Sequence, residues 1–374
     1  MEDRQRTVNV AYALLGEELE IAERVHLTLE DGKVQHVGKG WVTGGETYPT
    51  GLILPALVNA HVHTFDSAFP EFGMGLTLKE AVGDPQSEKY KLIGSLTQDR
   101  LKESTLDFLR RSRKIGVMKV VDFKELDLLG AKVAKEVKLI SPIEYVALGR
   151  LDGDFSRERL ETLRDMVDGY GLSSVTSVTR ETMKEIREVF KDKLVVAHVS
   201  ETLRQNLSRD LETILSDLRP DLVVHGTRLA ESELSLLRDE GVGLVLCPRS
   251  NLWWGTGVPN VPLIFREEVH TLLGTDNAAW NDHDLWKEME TALLISRLLE
   301  PGSDYSREVL KAGTVHGGAN PILEGHELTG VIVEAEWTGI TRAINKYAAI
   351  VKRGGQVINV INERVQGGRK NSPP

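Results

Sequence analysis

The sequence predicts an α/β fold: a closed (β/α)8 TIM-like barrel with a small β-sandwich domain formed from both termini. Three observations lead there. Short apolar runs alternate eight times with amphipathic, helix-like stretches through the middle of the chain. The length of 374 residues exceeds one small domain and suits a large barrel with an accessory unit. Both ends, unlike the middle, read as short strands joined by turns.

Taken in order, Val8 to Thr50 opens the small domain. Val25 to Leu29 alternates weakly, Asp31-Gly32 is a hairpin signal, and Lys33 to Val37 returns. Ala348 to Val360 reads similarly, with Ala349-Ile350-Val351 and Val357 to Val360 as strands around a turn at Arg353-Gly354-Gly355. Segments 1–50 and 336–366 are therefore assigned to the small β domain, 51–335 to the barrel, and 367–374, rich in Gly, Pro and polar residues, to a disordered tail. Barrel strands are expected at 52–61, 116–123, 143–148, 172–178 (a weak one), 194–198, 222–225, 242–247 and 271–276. Helices are expected at 100–114, 157–167, 181–190, 202–218, 231–239 and 284–299. Apolar strands between amphipathic helices imply parallel strands buried on both faces. A doubly wound open sheet is the runner-up, but no Gly-x-Gly-x-x-Gly or Walker-type loop follows any strand.

Composition narrows the chemistry. A hydrophobic fraction of 41% and a charged fraction of 27% fit an ordinary globular enzyme. The net charge of −10 argues against a broad attraction to nucleic acid. The single cysteine, Cys247, rules out an intrachain disulfide and a four-Cys zinc site, so any metal needs His and carboxylate ligands. No apolar core follows Met1 to Arg6, and no apolar run reaches the roughly 18 residues of a membrane helix. The expectation is a cytoplasmic protein with a small-molecule substrate and neither nucleic-acid nor membrane partner; homo-oligomerisation is left open. The sequon Asn206-Leu207-Ser208 is expected to be idle.

Catalytic groups of a (β/α)8 barrel sit at the C-terminal ends of its strands. Strand 1 ends in Asn59-Ala60-His61-Val62-His63, and residues two apart in a strand face the same side. Strand 5 ends at His198, strand 6 at His225, and strand 8 at Gly274-Thr275-Asp276. A lone His-x-His is weak evidence, a lone strand-end His is usually a hydrogen-bonded core residue, and a lone Asp after Gly-Thr is usually a helix cap. The coincidence of these groups on separate strand ends favours a metal site over those readings. Three histidines and one aspartate from these ends suit zinc or iron, with a position left for water.

The stretch Pro55-Ala56-Leu57-Val58-Asn59-Ala60-His61-Val62-His63 resembles the first-strand signature of the amidohydrolase superfamily. His198-Val199-Ser200-Glu201-Thr202, His225-Gly226, Cys247-Pro248-Arg249-Ser250-Asn251, Gly274-Thr275-Asp276-Asn277-Ala278-Ala279 and Asn320-Pro321 resemble, in order, motifs of its aminohydrolase branch. That branch includes guanine, cytosine and S-adenosylhomocysteine deaminases and the triazine hydrolases. The resemblance covers about Leu54 to Pro321. It implies His61, His63, His198 and Asp276 as the ligands of one divalent ion, zinc or iron, Glu201 as proton shuttle, His225 as a hydrogen-bonding catalytic residue, and Asp276 as both ligand and catalytic group. It also implies one metal rather than two, because Ser173 to Val178 offers no Lys or Glu to bridge a second.

Trp253, Trp254 and Trp280 follow the strand-7 and strand-8 motifs and are candidates to stack on a flat ring, with Arg249 and Asn281 as polar anchors. Ordinary loop packing explains the tryptophans as well. The leading function is hydrolytic deamination of a small aza-aromatic, nucleobase- or nucleoside-like molecule by a metal-activated water. The alternatives are dechlorination or dealkylamination of a triazine-like ring, and a pseudoenzyme scaffold, which the retention of every candidate group disfavours. Two segments depart from the branch: Thr64 to Lys91, which contains Asp66, Phe69, Phe72 and Met74, and the region after Asn320, where Gly330 to Glu334 is a remnant of the usual pattern.

Overall fold

The computed structural model describes residues 5–83, 86–202 and 209–362. The Asn206-Leu207-Ser208 sequon and the 367–374 tail lie outside them. No helix among the described residues is long and apolar enough to cross a membrane.

The chain begins with β1 (Arg6–Leu15), β2 (Glu20–Glu30), β3 (Lys33–Lys39) and β4 (Glu46–Pro55). It then enters the parallel strands β5 (Leu57–His63), β6 (Val117–Lys124), β7 (Glu144–Gly149), β8 (Gly169–Leu172), β9 (Leu194–Val199), β10 (Leu222–His225), β11 (Gly243–Leu246), β12 (Thr271–Leu273) and β13 (Asp276–Asn277). β14 (Thr329–Glu334) and β15 (Val357–Asn362) return to the first sheet. In the parallel sheet neighbours follow chain order from β5 to β12, and β13 pairs with β5. The eighth strand is thus split at Gly274-Thr275. Its first piece joins β11 and its second joins β5, which brings the barrel to closure.

Alternation sorts the core. Val121, Phe123, Leu148, Val196, Val224, Val245, Cys247 and Leu272 form one cluster inside the barrel, while Val120, Val195, Val223 and Leu244 join the larger core beneath the helices. Cys247 is therefore a buried packing residue.

The chain ends share a six-stranded sheet, in the order β15-β14-β4-β1-β2-β3. β1 and β4 run parallel and the other pairs antiparallel. Val8, Val10, Val25, Leu27 and Ile53 pack on one face; Leu52, Leu54, Val331 and Val333 join the barrel core on the other. This sheet takes in Gly51–Pro55 and Thr329–Glu334, which the sequence reading left with the barrel.

Two local readings are corrected. Ala349-Ile350-Val351 lies in the helix Lys346–Arg353, capped by the Asn345 side chain, and not in a strand. A three-residue apolar run carries no period, so it could not separate a strand from the buried stripe of a helix. The fourth barrel strand is Gly169–Leu172, not 172–178. Its glycines resemble a turn in sequence, but Gly169 is where backbones crowd: a Cβ there would stand 2.1 Å from Leu194 O.

Gly274 plays a similar part beside the strand-1 histidines. A Cβ at this position would lie 2.7 Å from His61 Cβ and 2.8 Å from the His61 backbone N and O. Gly274→Ala is expected to lower stability by about 1–3 kcal/mol, as overpacking of a tight interior does. The denaturant midpoint measures this; an unchanged midpoint would show that the β12–β13 break relaxes freely.

Candidate active site

Three of the four strand ends that carry the predicted ligands and His225 leave regular geometry. β5 holds one extra residue between Asn59 and Val62 relative to β6, a bulge. Ala60 faces the barrel interior, so unbroken alternation would turn His61 and His63 outward. The bulge re-aims both, and Val62 joins the outer core instead. On β10, Val224 faces inward and Val223 outward. His225 would follow Val223, but its φ of +73° breaks the alternation. Asp276, after the split in strand 8, also has a left-handed φ, +59°. Such values are uncommon for residues other than glycine and persist only where surrounding structure enforces them. His198 needs no such device, because regular alternation after Val196 already faces it inward.

The side chains meet at the barrel mouth. His61 Nε2 lies 3.2 Å from Asp276 Oδ1 and 3.2 Å from His198 Nε2. His63 Nε2 lies 3.5 Å from Asp276 Oδ1. His63 Nδ1 donates to Glu125 Oε1 at 2.6 Å, and His198 Nδ1 donates to the carbonyl of Leu172 at 3.1 Å. Those bonds place the ring protons on Nδ1 and leave Nε2 of both as bare lone pairs. Burial pushes all four imidazoles below the ordinary histidine value, His63 to about 4, so they are neutral at physiological pH. Burial alone would raise Asp276, but the hydrogen bond with His61 and the surrounding imidazoles outweigh it and hold the carboxyl well below its usual range. The lone pairs of His63 and His198 and the Asp276 carboxylate thus converge with His61 on one point, an arrangement that fits a divalent cation. His61, His63 and Asp276, and likewise His61, His198 and His225, each place one donor atom within 4.8 Å of the others.

The ligand set is braced from behind. Ser250 Oγ donates to Asp276 Oδ2 and accepts from Trp280 Nε1 at 3.0 Å. Asn59 and Thr275 clasp β5 to the start of β13, through Asn59 Nδ2 to Thr275 Oγ1 at 2.7 Å and Thr275 N to Asn59 Oδ1 at 3.0 Å. Asn251 Nδ2 meets His225 Nδ1 at 3.3 Å, which turns His225 Nε2 toward Glu201 Oε2, 3.7 Å away. Burial, then the Asp276 charge, raises the Glu201 carboxyl to about 8. Its side chain keeps 25% exposure, which moderates that shift in solution.

Glu201, His225, His198, His63, Asp276 and Trp280 line a chamber of about 110 Å³. A larger cavity of about 570 Å³ shares His198 and Glu201 and is walled by Trp254 and Arg228. Trp254 and Trp280 touch edge to face at 4.9 Å between centroids. The other predicted substrate residues lie elsewhere. Trp253 is exposed, Arg249 pairs with Asp282 at 2.9 Å, and Asn281 Nδ2 donates to Thr275 O at 2.9 Å. Sequence reasoning missed Glu125 and Lys89. Glu125 directly follows β6, so the strand-end rule applied to strand 2 would have found it. Lys89 lies in the departing segment and carried no signal.

Residues 52–317 match the model of the Amidohydrolase family. The chain belongs to the amidohydrolase family. A putative aminohydrolase of Methanothermobacter thermautotrophicus is 30% identical over 335 residues, spanning 83% of this chain and 87% of that protein. A 5-methylthioadenosine/S-adenosylhomocysteine deaminase of Thermococcus sibiricus is 24% identical, spanning 82% and 78%. Among solved structures, a zinc-bound adenosine deaminase of Xanthomonas campestris superposes with a TM-score of 0.80 at 19% identity, covering 96% of this chain and 91% of that one.

An amidohydrolase with this donor set is expected to hold one divalent ion per chain, which metal analysis of protein purified without chelator will measure. Two stoichiometric ions, or none after reconstitution with zinc or iron(II), would overturn the expectation.

Proposed function

We propose that this amidohydrolase is a hydrolytic deaminase of a small aza-aromatic, nucleobase- or nucleoside-like substrate, with His61, His63, His198 and Asp276 holding one divalent metal ion. The observation that carries the reading is Glu201. Its carboxyl stands on the wall of the chamber, facing His225 at 3.7 Å and sharing that chamber with three of the four ligands. When bound, a divalent ion supplies Lewis acidity and lowers the pKa of water to roughly 7.

Displacing an amine from an electron-poor ring carbon by water requires moving protons twice. One leaves the attacking water, and one must reach the ring nitrogen or the departing amine. A carboxyl with a pKa near the working pH does both, accepting in one step and donating in the next. Glu201 lies three residues beyond His198 on the same strand exit, which puts its carboxyl beside the ligand cluster without making it a ligand. His225, held by Asn251, presents Nε2 to the same space, where it orients the substrate or the attacking water. Trp280 and Trp254 give the ring an apolar wall.

Ammonia release over a panel of aminopurines, aminopyrimidines and triazines tests the class; release of chloride or an alkylamine alone would move the assignment to the triazine-type reaction. On the substrate so found, Glu201→Gln is expected to keep the fold and the metal and to lose about 10²–10⁴ in rate. Asp276→Asn is expected to lower metal occupancy itself. Near-wild-type turnover by Glu201→Gln at full occupancy would remove Glu201 from the proton path.

A further inference from the structure

Lys89 is an unusual lysine. It lies on the short helix Glu88–Gly94, outside the barrel strands. Its side chain is 4% exposed. Nζ sits 2.8 Å from Asp66 Oδ2 and 2.6 Å from Glu125 Oε1. Both carboxylates are as deeply buried as the lysine.

Each partner leads back to the ligand set. The Glu125 oxygen that meets Lys89 is the one that accepts from His63 Nδ1, and Glu125 Oε2 has no hydrogen-bond partner among the described residues. Asp66 Oδ2 also accepts from Asn277 Nδ2 at 2.7 Å. Asn277 follows Asp276 directly and pairs with His63 in the β13–β5 register. The contacts therefore close a ring, from His63 through Glu125, Lys89, Asp66 and Asn277 back to the backbone of His63. His63, Asp66 and Glu125 by themselves have cation-binding geometry, and the ammonium of Lys89 is the cation placed among them.

We propose that Lys89 is a positioning residue for the metal-ligand set: its ammonium holds Glu125 on Nδ1 of His63, which fixes that ring with its Nε2 lone pair toward Asp276. The inference rests on the metal-site reading above. Without Lys89, two buried carboxylates would face each other with no cation between them, and the charge on Glu125 would rest on one neutral imidazole N–H. Glu125 would then take up a proton or turn away, and His63 would lose the acceptor that sets its tautomer. Groups that orient a metal-binding histidine in this manner typically govern 10–100-fold in metal affinity.

The test is zinc affinity, by competition with a chromophoric chelator, for wild type, Lys89→Met, Glu125→Gln and the double variant, each with folding checked by circular dichroism. Each single variant is expected to bind zinc about 10–100-fold more weakly. The double variant is expected to lose no more than the weaker-binding single, because both substitutions act through one imidazole nitrogen. Unchanged affinity in folded Lys89→Met, or losses that multiply in the double variant, would overturn the proposal. Where Lys89→Met does not fold, the double variant, which removes both charges together, is compared with Glu125→Gln alone; equal affinities support the proposal and a further loss overturns it. A wild type that binds no zinc would instead refute the metal-site reading. In that event ¹⁵N–¹H spectra of histidine-labelled protein still decide the role of Lys89, by whether His63 is an Nδ1–H tautomer in wild type and a mixture in the folded variant.

Discussion

The constraint on which the mouth of this barrel depends is electrostatic. Imidazole lone pairs and a carboxylate are brought to within 3.2–3.5 Å of one another in an interior from which water is largely excluded. Acceptors do not collect in such a place unless something outside the ligand set holds each of them there. Three of the four predicted ligands have such a holder: Leu172 O takes the proton of His198, Glu125 takes that of His63, and Ser250 donates to Asp276. His61 Nδ1 has no hydrogen-bond partner among the described residues, and on that side packing alone sets the ring. Behind His63, His198 and Asp276 the hydrogen bonds lie on the far side and leave the near side open, which is the arrangement a cation completes.

The backbone makes a matching concession. An ideal barrel would pair eight unbroken strands, yet this one has a bulge in β5, a left-handed residue at the end of β10, and a strand 8 cut in two at Gly274-Thr275. These are the departures that turn His61, His63, His225 and Asp276 into the lumen. They are held in place by local clasps, above all the two hydrogen bonds between Asn59 and Thr275. Asn59 and Thr275 sit inside the motifs read from the sequence, so those motifs carry scaffold as well as chemistry.

That division explains what was legible in the sequence. Strand ends announce themselves when several apolar runs of one barrel stop at a histidine or an aspartate, and His61, His63, His198, His225 and Asp276 all stood at such ends. Alternation and helix periodicity located most barrel strands to within a few residues. Reading failed where tertiary contact overrides local pattern. Gly169 to Leu172 is a strand because neighbouring backbone fills the space a side chain would need. Ala349-Ile350-Val351 is helical because Asn345 caps a turn that a three-residue run cannot signal. Trp253, Arg249 and Asn281 were grouped with the pocket by proximity in sequence alone, whereas Trp253 is exposed and Arg249 and Asn281 are taken up by Asp282 and by the backbone of Thr275.

What the sequence could not yield is how the segment after His63 is built into the site. The barrel supplies ligands from positions fixed by strand order, whereas the chamber walls come partly from the segment after His63, whose helices Leu78–Val82 and Glu88–Gly94 contribute Leu78, Val82, Lys89 and Tyr90. A segment that both walls the pocket and, through Lys89, braces a ligand cannot change its substrate contacts independently of the metal site. Substitutions at Leu78 or Val82, which have no place in the ring of contacts around Lys89, are free to alter the shape of the chamber. Changes at Lys89, Asp66 or Glu125 alter shape and ligand geometry together. Substrate preference in this amidohydrolase is therefore adjustable along one wall of the chamber and locked along the other.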